Sequence, residues 1–158
     1  MKLDDEALMQ VVFRVALNAR AKGNHPFGAL LVDDQGNILM EGENTVVTTN
    51  DCTAHAETNL MRMASQKYDR NFLAGCSLYA STEPCCMCSG AIFWGNVGRV
   101  VFGLRQEVYY TLVGDPTGEA LPISCREIFA GGNKPVEVIG PLLEEEAARV
   151  HAGFWVNP

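Results

Sequence analysis

Cys76-Ser77-Leu78-Tyr79-Ala80-Ser81-Thr82-Glu83-Pro84-Cys85-Cys86-Met87-Cys88 changes character halfway along. Its first six residues read as a strand, Thr82-Glu83-Pro84 as a turn, and the remainder as the start of a helix. Pro84 suits the entry of that helix, where its missing N–H costs least. Cys85 and Cys88 fall one helical turn apart, so two sulfurs can reach one metal ion, while Cys86 between them points elsewhere. Strand-into-helix junctions of this kind build α/β sheets, and their functional groups gather at the C-terminal ends of the strands.

The flanking segments keep the alternation. Residues from about Asp4 to Ala21 show helical periodicity, with Leu8, Val11, Val12, Val15 and Ala16 on one face and Gly23 as a stop. Phe27 to Val32 and Ile38 to Gly42 read as two strands joined by the turn Asp33-Asp34-Gln35-Gly36-Asn37. Asn44 to Cys52 is polar and Thr-rich, which predicts a loop, and a helix is expected from about Thr53 to Gln66 with Leu60, Met61 and Met63 toward the sheet. The helix that carries Cys88, Ala91 and Ile92 ends near Trp94-Gly95. Arg99 to Gly103 is a fourth strand, Cys125 to Ala130 a short helix, Val136 to Ile139 a fifth strand, and Leu143 to about Ala152 a last helix. Gln106 to Gly118 reads as irregular or as a short helix followed by the turn Gly114-Asp115-Pro116. This order predicts an α/β fold of three layers, α/β/α, around a five-stranded mixed sheet that is mostly parallel after its opening hairpin. With 158 residues and no linker or internal repeat, one domain over residues 1–158 is expected.

Thr53-Ala54-His55-Ala56-Glu57 completes the chemistry. His55, Cys85 and Cys88 form a three-ligand set of the zinc type, and three protein ligands leave one coordination position open, as in a catalytic rather than a structural site. Zinc lowers the pKa of water there toward neutrality, and Glu57, two residues beyond His55, is a carboxylate free to move protons. This combination suits attack of hydroxide on an amino-bearing ring carbon with loss of ammonia. A closed zinc module would need a fourth ligand from Cys52, Cys76 or Cys125, each expected to be a small buried apolar residue. A redox Cys-x-x-Cys would not need His55 and Glu57 at fixed spacing.

The charge balance narrows the partners. Twelve Lys and Arg stand against 19 acids, a formal net charge of −7, with the basic residues scattered. Nucleic-acid affinity rests on cations that neutralise phosphates, so the composition argues against it and for a small substrate. Met1-Lys2-Leu3-Asp4-Asp5-Glu6 lacks a secretory pattern, and no apolar run approaches the roughly 18 residues of a membrane span. A cytoplasmic protein with reduced cysteines is expected.

Taken together, Pro26-Phe27-Gly28-Ala29, Gly42-Glu43-Asn44, Thr53 to Glu57, Thr82 to Ile92 and Val100-Val101-Phe102-Gly103 resemble the cytidine deaminase-like superfamily. The resemblance is to the branch holding guanine deaminases, fungal-type cytosine deaminases and tRNA adenosine deaminases. It covers about residues 5 to 105 and fades beyond Gly103. It implies a bound Zn2+, a nucleobase substrate, a role in purine metabolism with guanine as first choice, and a homodimer. Cytosine, a nucleoside or tRNA adenosine are the alternatives. It further implies that Asn44 and the Ala56 N–H contact the ring, that Phe27 and Trp94 wall the pocket, and that Phe154 and Trp155 cap it. Relatives of the guanine type use a second acid after the fourth strand, and Asp115 and Glu119 lie in that region.

Overall fold

The structure, a computed structural model, describes residues 3–113 and 119–155. Asp115, with the turn around it, lies outside those residues.

Helix α1 (Asp5–Ala21) opens on the Asp4 side chain, which accepts a hydrogen bond from the Ala7 N–H. Strands β1 (Gly28–Val32) and β2 (Ile38–Glu43) form the expected hairpin. The loop expected after it contains a single helical turn, α2 (Val46–Thr49), which the Asn44 side chain initiates by accepting from the Val46 N–H. Then come α3 (Ala56–Lys67), α4 (Arg70–Ala74), β3 (Ser77–Thr82), α5 (Cys86–Gly95) and β4 (Arg99–Leu104). The stretch after β4 takes the helical of its two readings and forms α6 (Gln106–Val113), followed by α7 (Cys125–Ala130), β5 (Glu137–Ile139) and α8 (Glu144–Arg149). Helix α4 is marked in the sequence only by its caps, Asp69, whose side chain accepts from the Phe72 N–H, and Gly75, because five residues are too few to display a helical period.

The sheet order is β2-β1-β3-β4-β5. β1 pairs antiparallel with both neighbours, whereas β3–β4 and β4–β5 are parallel. β1 is therefore the single strand running against the other four, which sets its first residue beside the last residues of β2 and β3: Gly28 faces Glu43, and Ala29 faces Ala80. Because side chains alternate across a sheet, two apolar layers result. Ala29, Leu31, Leu78, Ala80, Val100 and Phe102 share one core with Leu60 and Met61 of α3, Ile92 of α5 and Phe129 of α7. Leu30, Val32, Tyr79 and Val101 pack on the other side with Val12 and Val15 of α1 and Ala147 of α8. This is the expected α/β/α sandwich.

The hairpin is held close to α3 at a glycine. A Cβ on Gly42 would lie 2.6 Å from the Ala56 carbonyl oxygen and 2.9 Å from Leu60 Cβ, so β2 can press against the first turn of α3 only with hydrogen at that position. No helix among the described residues is long and apolar enough to cross a membrane.

Candidate active site

The chain brings its chemistry together at two helix starts. His55 and Cys85 are the N-cap residues of α3 and α5, each with extended backbone, and Cys88 lies in the first turn of α5. The helices thus begin one to three residues later than the sequence suggests, and His55 sits at the boundary rather than inside the first turn. His55 Nδ1 is 3.5 Å from Cys85 Sγ and 3.6 Å from Cys88 Sγ, and all three ligand atoms lie within 4.8 Å of one another. A tetrahedral zinc at the usual bond lengths would separate imidazole nitrogen from thiolate sulfur by about 3.5 Å, so the donor set fits the ion in both type and spacing. The three are the one such cluster among the described residues. Cys76 and Cys125 are buried elsewhere, and Cys52 is exposed rather than buried as expected, so none of them closes the site.

The electrostatics separate the two thiols. A hydrogen bond from the Cys88 thiol, reinforced by His55, holds Cys85 at about 4, and the same hydrogen bond together with burial pushes Cys88 upward. Thr58 on α3 places its hydroxyl 3.1 Å from Cys88 Sγ. Glu57 is buried beside this cluster, and burial, with the Cys85 sulfur adding to it, pushes its carboxyl up to about 7. A carboxyl in that range can both take and return protons near neutral pH.

A cavity of about 330 Å³ opens onto these groups. Its lining includes His55, Glu57 and Cys85 together with Phe27, Asn44 and Trp155 from the sequence-derived candidates. Asn44 is almost fully buried; its carbonyl oxygen is committed to the Val46 N–H and its backbone N–H to the Phe27 carbonyl. Ala56, also buried, is the first residue of α3, where backbone N–H groups lack intrahelical partners. Phe154 does not line the cavity; it packs behind it, on the rings of His25 and Trp155 and beneath the Arg20 guanidinium.

Trp94 corrects the sequence reading. It is 75% exposed on the outer face of α5, beside Thr58, Met61, Arg62 and Ala91, and it takes no part in the cavity. The periodicity of α5 could not reveal this, because both flanks of that helix are apolar.

The lining also contains His25, Gln106, Tyr109 and Tyr110, which the sequence did not single out, Thr82 and Glu83 from the start of the Thr82 to Ile92 motif, and Glu119, one of the two acids named after the fourth strand. Glu83 explains how the segment after β4 reaches the site. Its carboxylate accepts from the Gln106 N–H at 3.2 Å, the Ser124 hydroxyl at 2.8 Å and the Cys125 N–H at 3.0 Å. Gln106 in turn donates from its side-chain amide to the carbonyls of Pro84 and Ile123. The acid next to the Pro84-Cys85 turn thereby pins α6 and α7 against the metal-binding turn. A buried acid preceding a ligand motif was the available signal.

Residues 2–104 match the family described as the cytidine and deoxycytidylate deaminase zinc-binding region, and the chain belongs to that family. Its cofactor is accordingly zinc, and its reaction is hydrolytic deamination of a nucleobase or nucleoside. The chain is 42% identical over 153 residues to a probable cytosine deaminase of Schizosaccharomyces pombe, covering 96% of this chain and 92% of that one. It is 41% identical over 99 residues to a tRNA-specific adenosine deaminase of Haemophilus influenzae, covering 63% and 57%. The solved guanine deaminase of Nitrosomonas europaea superposes with a TM-score of 0.78 at 27% identity, over 95% of this chain and 84% of that one.

Proposed function

We propose that this deaminase acts on a free amino-heterocycle, guanine first, as a cytoplasmic homodimer. The observation that carries this reading is the cavity wall: the rings of Phe27, Tyr109, His25 and Trp155 and the acid Glu119 line the same small space as Glu57. Flat aromatic walls suit a stacked base, and an acid supplies an acceptor for the N–H groups of guanine.

Zinc, when bound, supplies water acidified to near neutrality as the nucleophile. Glu57 takes one proton from that water and delivers it to the ring nitrogen next to the reacting carbon, then takes the remaining proton of the added hydroxyl and passes it to the departing amine. Water and the amino-heterocycle thus become the oxo-heterocycle and ammonia. Asn44 presents its side-chain NH2 to the ring, and the Ala56 N–H, at the positive start of α3, faces a ring carbonyl or nitrogen.

Similarity along the whole length to the fission-yeast probable cytosine deaminase favours cytosine as the second reading. A polymer substrate fits less well, because the net charge is −7 and α8 opens with Glu144-Glu145-Glu146. Exposed Trp94, with Ala91 and Met61 beside it, supports pairing of α3 and α5 with their copies in a second chain. The six free cysteines suit a reducing compartment, and guanine as substrate would give the protein a share in purine metabolism.

The test is ammonia release by the zinc-loaded protein with guanine, cytosine, isocytosine, adenine, their nucleosides and tRNA. Turnover of a free base supports the reading, with guanine expected fastest. Turnover confined to tRNA overturns it.

A further inference from the structure

Trp155 is held in place by a residue that neither the motif nor the family match covers. The Trp155 indole Nε1–H donates to His151 Nδ1 at 2.9 Å, and the two ring planes are inclined by only 23° with centroids 6.3 Å apart, so the rings meet edge to edge. Indole N–H can only donate, so His151 Nδ1 must be the unprotonated nitrogen and the proton of the neutral ring sits on Nε2. Nε2 lies 3.4 Å from the Thr82 hydroxyl, which lines the cavity three residues before Cys85. His151 itself is 4% exposed, under the rings of Phe27 and Tyr109.

We propose that His151 is a positioning residue for substrate binding, fixing Trp155 as a wall of the cavity by joining it through one imidazole to Thr82 at the end of β3. The proposal rests on the reading of Trp155 as a ring-stacking wall. It needs one tautomer in one charge state, because protonation at Nδ1 would replace the acceptor that Trp155 requires with a donor. The surroundings enforce the neutral ring. Burial, and the Arg20 guanidinium of α1 after it, lower its basicity. Tyr109 from α6, Thr82 from β3 and Arg149 of α8, which lines the adjoining surface groove with His151, are the other polar or charged groups around it. His25, from the loop before β1, meets Trp155 at 5.3 Å from its other side.

Two readouts separate this role from mere stability. In a Trp94→Phe background, Trp155 is the sole tryptophan, and its acrylamide quenching reports its order with no substrate present. Adding His151→Phe keeps a ring but removes both hydrogen bonds. It should raise the quenching constant severalfold and raise KM roughly tenfold, the scale of one lost hydrogen bond, with kcat nearly unchanged because ground and transition states lose the wall alike. His151→Asn, whose Oδ1 stands where Nδ1 stood, should restore most of both quantities, and His151→Gln, which extends toward Thr82, should not. Unchanged quenching and KM in His151→Phe, or an Asn variant no better than Phe, overturns the proposal. A parent protein that turns over none of the bases removes the substrate reading instead, and the quenching series still decides the role of His151.

Discussion

The Thr58 hydroxyl stands 3.1 Å from Cys88 Sγ, so the helix that begins at His55 also supports a sulfur carried by the neighbouring helix. Hydrogen bonds to ligand atoms fix their orientation and stabilise the thiolate, and losing one typically costs about 10–100-fold in metal affinity. Thr58→Val, which preserves shape and removes the hydroxyl, should weaken zinc binding by about tenfold. Competition with a chromophoric chelator measures this directly, and unaltered affinity would show that the contact contributes nothing to the ion.

Glu57→Ala should keep zinc at full occupancy and lose at least about 10³-fold in kcat, the scale of a removed general acid–base. Metal analysis of the variant and single-turnover ammonia release check the two halves. Substantial turnover without this carboxylate would end its assignment as proton carrier.

Gly42→Ala tests how β2 positions the metal site. The new methyl would meet the Ala56 carbonyl at 2.6 Å, backbone that cannot swing aside, and the strain should fall on the first turn of α3. A loss of about 1–3 kcal/mol in stability is expected by urea denaturation, as for other overpacked sites. A lower zinc affinity should accompany it, because His55 adjoins the displaced residue.

Removing the Glu83 carboxylate should free the segment it pins. Glu83→Ala leaves the N–H groups of Gln106 and Cys125 and the Ser124 hydroxyl without their shared acceptor, each buried loss being worth about 1–3 kcal/mol. Hydrogen exchange should quicken in α6 and α7 while α3 and α5 stay protected. Uniform protection would place the anchor elsewhere.

Stability below neutrality should carry a contribution from His151. Burial first, and then Arg20, bring its pKa in the folded protein down from 6.5 to about 4. The unfolded chain therefore takes up this proton before the folded one does. The contribution is complete above the unfolded value and disappears progressively as pH falls from 6.5 to about 4. Its ceiling is about 3 kcal/mol, since each tenfold loss of proton affinity on folding is worth about 1.4 kcal/mol. His151→Asn cannot titrate, so the difference in unfolding free energy between the two proteins should narrow as pH falls from 7 to 4.5. A constant difference would refute the assignment.

The sheet and the metal set were legible because each rests on short-range pattern. The strands are apolar runs bounded by turns, and His55, Glu57, Cys85 and Cys88 keep spacings dictated by one helical turn. What escaped depends on contacts distant in sequence. Trp94 is apolar on an apolar helix, and only the packing shows that its side faces outward. Tyr109 and Gln106 enter the cavity because Glu83 captures the chain after β4, and no local period announces that capture. In the sequence His151 resembles any polar residue of a surface helix; its burial follows from Thr82 and Trp155 arriving from either side.

The reversed direction of β1 also constrains when the site can come into being. His55, after β2, and Cys85, after β3, face each other only once β3 has paired with β1, a pairing of segments far apart in the chain. A nascent or half-folded chain therefore offers the metal a solitary imidazole and an isolated cysteine pair, with weak hold on either. Zinc uptake thus follows the β1–β3 pairing, and retained zinc reports that this pairing is in place.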